Sequence, residues 1–407
     1  MNVLRLRIAL FSLLAITFLA VLAFPQVARE WRRHQENQLA NQCRQAASQR
    51  RWDELKVLVE RWTSQNPSSG EGWMLRGRAA IGRGEWLEAA DSFSKIPDWD
   101  PQAVAALAEA TQLRFRRLND PLKGAETLER ILKINPKAAE AHQQLIGFYA
   151  ATLQRQKLAR QIRAAIAAQC EPPEAYAYDF LLFTLRDNNT VSLNARWLKE
   201  HPEEEIFLVS NFLLRPELAV QDSSSASMST ASSPSYPESE SVSDKKKQVD
   251  VMLQRFPQNI ELLAYQANLC IVTGDVRRGA EILAQAPTSA GNDARFWRLE
   301  GWIHESNQEF DKAISAYHRG LELHAVDWNT MIRLSVVERR KQNLVEVKRL
   351  TALVERAMEL RRDLRKDDGS KTPSPAILGE LAQYYRDCGE KTVGPALERR
   401  IGGRSVR

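Results

Sequence analysis

Six histidines, four cysteines and several paired carboxylates are the side chains of this 407-residue chain with the types for metal, redox or acid–base work. Their spacings argue against most of it. His304-Glu305 lacks the second histidine of a zinc-protease helix, and His318 and His324 lie about 240° apart around a helix, facing different ways. Cys43, Cys170, Cys270 and Cys388 are 127, 100 and 118 residues apart, which excludes CxxC-type pairs and reads as small buried side chains. Gly82-Arg83-Gly84 begins like a phosphate-binding loop, but no strand pattern precedes it and the third glycine is missing, so it reads as a turn between helices. Asp98 and Asp100 flank a turn before Pro101, where capping accounts for them. No strand-turn-helix elbow seats a nucleophile. The expectation is a protein without catalysis, cofactor, metal or small-molecule substrate.

Composition leaves binding. The chain is 27% charged and 43% hydrophobic, enough to fold as two domains or one extended array, and its net charge of +6 is spread without a long basic block. That is a weak case for nucleic acid, and none is expected as a partner. At the amino terminus, Ile8 to Phe24 is a 17-residue apolar run flanked by Arg5 and Arg7 before it and Arg29, Arg32 and Arg33 after it. As a helix it would measure about 26 Å. The reading is a transmembrane signal anchor within residues 1–35, with the bulk of the chain on the outer, periplasmic side; a signal peptide cleaved after Val21-Leu22-Ala23, giving a secreted form, is the competing reading.

The elements that must position the remaining side chains come from a repeat. Residues 72–93 read GWMLRGRAAIGRGEWLEAADSF, and Trp73, Gly77, Trp86, Ala89 and Phe93 return 224 residues later as Trp297, Gly301, Phe310, Ala313 and Tyr317. Units begin near Glu36, Gly70, Ala105, Ala139, Glu171, Ile260, Ala294, Ala325 and Pro375, with steps of 31 to 35 residues where they adjoin. Each holds two amphipathic helical patterns joined by a short turn such as Gly84-Glu85, Gly274-Asp275 or Gly389-Glu390, and several close on proline, at Pro67, Pro101, Pro136, Pro202 and Pro257. A two-helix unit of this size cannot bury its own apolar face, so bulky and small positions must alternate for neighbours to stack. Gly77 and Gly301 are expected to admit a facing helix, and Phe93, Tyr317, Leu128, Ile162 and Leu283 to fill the space against the following unit.

These offsets resemble the tetratricopeptide repeat (TPR), most closely at 70–101, 294–325 and 375–390, where Leu381-Ala382-Gln383-Tyr384-Tyr385 carries the last unit's signature. Arg76 stands where leucine is usual, Gly124 and Leu158 replace the second-helix alanine, and the unit at 171–202 keeps little beyond its proline. The resemblance implies an all-α fold, an α-solenoid of stacked helix-turn-helix units preceded by the transmembrane helix. It also implies a concave groove lined by the second, fifth and ninth places of each unit. Here those places include Arg44, Met74, Arg78, Arg295, Arg298, Trp302, Asn329 and Arg333. An excess of arginine there suits an acidic peptide, although a solvated helix face would also carry it.

Residues 221–244, QDSSSASMSTASSPSYPESESVSD, hold eleven serines and cannot bury enough surface to offset ordering, so a disordered insertion is expected at 217–244. It divides an array at 36–216 from one at 245–407. The functional expectation is a membrane-anchored TPR scaffold or adaptor that binds a protein or peptide partner. The alternatives are a helical-repeat RNA-binding protein, which would need a regular polar pair in successive units, and an accessory subunit of an envelope enzyme or export complex.

Overall fold

The computed structural model describes residues 30–185, 188–215, 218, 240–366 and 372–404, apart from residue 32. These are helical throughout, with no strand among the described residues. Contacts divide the chain into one body up to Ile134 and a second from Asn135 onward. The first body holds α1 (residues 33–48), α2 (Trp52–Gln65), α3 (Gly70–Arg83), α4 (Trp86–Ser94), α5 (Ala103–Arg116) and α6 (Pro121–Ile134). The second begins with α7 (Ala139–Ala151), α8 (Arg155–Ala167), α9 (Glu174–Phe180), α10 (Asn188–Glu200) and α11 (Glu205–Leu213). It continues through α12 (Glu240–Arg255), α13 (Ile260–Thr273), α14 (Val276–Gln285), α15 (Ala294–Ser306) and α16 (Phe310–Leu323). It ends with α17 (Trp328–Arg340), α18 (Leu344–Lys366), α19 (Pro375–Asp387) and α20 (Val393–Arg404).

The repeat is written in the backbone of the turns. A left-handed residue joins the two helices of each hairpin, at Arg50, Gly84 and Asn119 in the first body and at Leu153, Gly274, Gln308, Gln342 and Gly389 in the second. The residue after most of these, as at Glu85, Asp275, Glu309 and Glu390, donates its amide to a carbonyl five residues back, closing the helix end in a Schellman motif. Helix starts are also secured: Ser69 accepts from the Gly72 amide, Asn259 from Glu261 and Leu262, and Ser374 from Ile377 behind Pro375. The indoles of Trp73 and Trp297 tie the entry loop down, each donating to the carbonyl six residues earlier, at 2.7 Å to Pro67 and 2.9 Å to Gly291.

Packing inside a hairpin differs from the expectation. The rings of Phe93 and Tyr317 lie over Gly77 and Gly301 of their own hairpins, where a Cβ on Gly301 would sit 2.5 Å from Cε1 of Tyr317. The aromatic therefore locks two helices of one unit. In α5 and α6 the lock is reversed: Gly124 on the second helix faces the ring of Phe115 on the first. This is why the usual alanine is absent there.

In the second body the hairpins follow in order from α13/α14 to α19/α20, and α20 returns to pack against α8. The body closes on itself, with α7 also packing directly on α10. Phe148 and Trp197 meet edge to face at 5.8 Å in that contact. Helix α12 starts at Glu240, inside the stretch expected to be disordered, and residues 219–239 of the serine-rich insertion lie outside the described residues.

The membrane expectation is corrected. No helix among the described residues is long and apolar enough to cross a membrane, and the run from Ile8 to Phe24 lies outside them. The single-pass anchor, the contact with a membrane through residues 8–24 and the outer-side placement that followed from it are therefore withdrawn.

Two substitutions test the hairpin geometry with opposite signs. Gly301→Ala forces a methyl against Tyr317 and is expected to destabilise by about 1–3 kcal/mol. Gln308→Gly relieves an exposed side chain held at φ 63° and is expected to stabilise by about 1 kcal/mol. Urea unfolding followed by circular dichroism measures both.

Candidate functional site

The inner helices of the two bodies present different chemistry. In the first body, Glu71, Met74, Leu75 and Arg78 of α3 meet Asp100 and Gln102, which lead into α5, around an open cavity of about 360 Å³. The helical period brings Glu71, Leu75 and Arg78 to one face of α3. Asp100 is fixed by its own backbone, accepting the Gln102 amide at 2.8 Å. Arg44 of α1 forms a two-pronged pair with Glu71 (2.6 Å for each prong) and also donates to Asn41 at 3.0 Å. That pair is half exposed, so it orients the two side chains more than it stabilises the fold. Arg78 is exposed and makes no hydrogen bond or ion pair with any described residue. Met74 supplies a buried apolar floor beside it.

In the second body the expected groove residues Arg295, Arg298 and Trp302 are buried, and Asn329 and Arg333 are partly exposed. Arg295 is buried and binds Asp293 through Nε (2.9 Å) and Nη2 (2.7 Å), and Glu261 through Nη1 (2.7 Å) and Nη2 (3.1 Å). Arg155 joins from α8, reaching Glu261 at 2.5 Å and the Leu182 carbonyl at 2.9 Å. Arg298 is buried against both oxygens of Asp327, at 2.9 and 2.6 Å, and Thr330 donates to the same carboxylate. Trp302 is 4% exposed in the apolar core with Leu262, Ile282 and Leu299. Arg333 pairs with Glu305 at 2.9 Å, beside the hydroxyl of Tyr317. Arg295, Arg298 and Arg333 are thus paired with this chain's own carboxylates, whereas Met74 and Arg78 line one cavity and Arg44 reaches its edge through Glu71.

The electrostatics agree with two kinds of face. Burial pushes Asp293 up, but Arg295 and then Arg155 outweigh it and hold the carboxyl below its usual range. Its contribution to stability is therefore fully present above about pH 4 and is lost as pH falls through the lower folded value. Burial also raises the thiols, Cys43 and Cys270 to about 11 and Cys388 to about 12, which keeps them protonated and unreactive near neutrality. Among the described residues no three His, Cys, Asp or Glu side chains form a metal site.

Sequence reasoning missed Glu261, Asp293 and Asp327, the buried carboxylates, and Arg155. Asp293 was visible as a helix-start residue, but the reach from Arg155 to Glu261 spans 106 residues and leaves no local pattern.

No known protein family matches the sequence, and no curated protein matches it. Solved structures do. A tetratricopeptide repeat protein from Parabacteroides merdae is 12% identical, with 74% of this chain and 98% of that one covered at a TM-score of 0.27. Yeast Tom70 is 13% identical, with 90% of this chain and 88% of that one covered at a TM-score of 0.28. Both are similar chains at low overlap, and the TPR-like architecture described here stands on the hairpins and turns themselves.

Two outcomes distinguish the faces. Trp302→Ala is expected to cost about 3–5 kcal/mol as a core truncation, measured by urea unfolding. Glu261→Ala takes the bonded carboxylate from buried Arg155 and leaves Arg295 with Asp293 alone, and is expected to cost a similar 3–5 kcal/mol at pH 7. A change below 1 kcal/mol for either would place the residue on a solvated face.

Proposed function

We propose that the chain is a helical-repeat scaffold that holds a segment of a partner protein against the inner face of its first body. Arg78 receives an acidic side chain, Met74 and Leu75 take an adjacent apolar one, and the fixed Arg44–Glu71 pair sets the register. The observation that supports this reading is Arg78, an exposed guanidinium beside an apolar floor, with no carboxylate of the described residues against it. Elsewhere in this structure arginines on inner helices sit against carboxylates, as Arg295 and Arg298 do. A free fork in that position matches a bidentate carboxylate. Glu71 and Asp100 at the cavity rim disfavour a uniformly acidic ligand, so the fitting segment carries one acidic group next to an apolar side chain.

The reading predicts the outcome of a peptide display selection on the full chain. Recovered peptides are expected to share an Asp or Glu beside an apolar residue. Arg78→Glu is expected to weaken them at least about tenfold, or 1.4 kcal/mol, without altering the circular dichroism or the melting temperature. Binding should also fall as salt is raised. Equal binding to the wild type and to Arg78→Glu contradicts the assignment.

A further inference from the structure

The inner face of the second body already has an occupant. Residues 175–183 read AYAYDFLLF, apolar on every side apart from one aspartate. Only 174–180 are helical, and this single short helix has no second helix of its own to lean on: α10 packs past it onto α7. It packs on α8 and α7, the hairpin before it, and its side chains also meet helices remote in sequence. Tyr176 and Phe180 are fully buried, and Asp179 is 2% exposed.

Its contacts are those of a bound peptide. The Phe180 ring sits 5.1 Å from Trp328 of α17 and edge-on to Tyr384 of α19 at 5.6 Å. The Tyr385 hydroxyl donates to Asp179 Oδ2 at 2.9 Å and lies 3.2 Å from the Tyr176 carbonyl. Phe183 lies edge-on to His324 at 4.9 Å, with the Arg295 guanidinium 5.2 Å from its ring. The carbonyls at its two ends are held by arginines, Glu171 by Arg400 at 2.7 Å and Leu182 by Arg155 at 2.9 Å. An aromatic cage, a hydroxyl aimed at a carboxylate, a cation over a ring and arginines on free carbonyls are how receptors hold short segments.

We propose that the inner face of the second body is a binding site for a short acidic-aromatic segment, with Asp179, Phe180 and Phe183 of the chain itself bound there in cis, and that a partner segment of the same Asp-Phe-x-x-Phe chemistry binds by exchanging with it. The site is independent of the one assigned to Arg78, and either can fail alone. A tethered segment competes at an effective concentration on the order of millimolar, so micromolar peptide in trans does not displace it from the wild type. Weakening the tethered copy opens the site.

The test uses the full chain carrying Phe180→Ala and Phe183→Ala, with a fluorescein-labelled peptide of residues 172–186 as the probe, followed by anisotropy. Saturable binding at micromolar peptide is expected for the variant, at least about tenfold tighter than for the wild type, and lost when the peptide carries Asp179→Lys. A folded variant that binds no better than the wild type, or that binds the lysine peptide equally well, overturns the proposal. Should the variant lose its helical signal, the peptide added in trans is expected to restore it together with a cooperative melt; failure to do so overturns the proposal and makes α9 ordinary core.

Discussion

Every helix hairpin in this protein has an apolar face that its own two helices cannot cover, and the structure follows from how each face is covered. Within three of the hairpins the cover is an aromatic ring over a glycine, Phe93 over Gly77, Phe115 over Gly124 and Tyr317 over Gly301. The missing side chain lets the ring settle against backbone, at a contact distance that no larger residue permits. With the two helices locked, the outer apolar side chains form a surface for the next hairpin, as Ile282 and Trp302 do in the core that α13, α14 and α15 share.

Inner faces are covered by other means. In the second body, buried carboxylates neutralise the arginines of α15, and α9 fills the remaining volume. Such a network contributes less to net stability than apolar packing of the same size would, since desolvating Glu261, Asp293, Arg155 and Arg295 is costly. What it contributes is discrimination: the pairs close only when α8, α13 and α15 are in register, and an unpaired charge in that interior is strongly unfavourable. In the first body nothing from the described chain covers Arg78, and that difference is the physical basis for placing a partner there.

How much of this was legible in the sequence depends on how local its cause is. The hairpins were, because Trp73, Gly77, Ala89 and Phe93 recur at fixed offsets and glycine marks three of the turns. The turns at Arg50, Leu153, Gln308 and Gln342 were hidden, since residues other than glycine take the left-handed conformation there and carry no composition signal. Arginine at the inner places of α15 was recognised by type, but its state was not: a free cation and one paired with Glu261 or Asp327 look the same when the partner lies 34 or 29 residues away. The unit at 171–202 looked merely degenerate. Its run AYAYDFLLF was a signal of burial on all sides, and its partners lie as far off as Arg400. The apolar run at 8–24 was read as a span, but it lies outside the described residues, and none of the helices among them is long and apolar enough to cross a membrane.

The account's central claim is that the second body is built around α9 as an enclosed segment. Hydrogen–deuterium exchange resolved by peptide fragments measures this most directly. Amides of residues 177–181 are expected to exchange as slowly as those in the middle of α15 and α17, despite lying in and just after a seven-residue helix flanked by loops. Exchange of that segment at the rate of the flanking turns, with α15 and α17 protected, would contradict it.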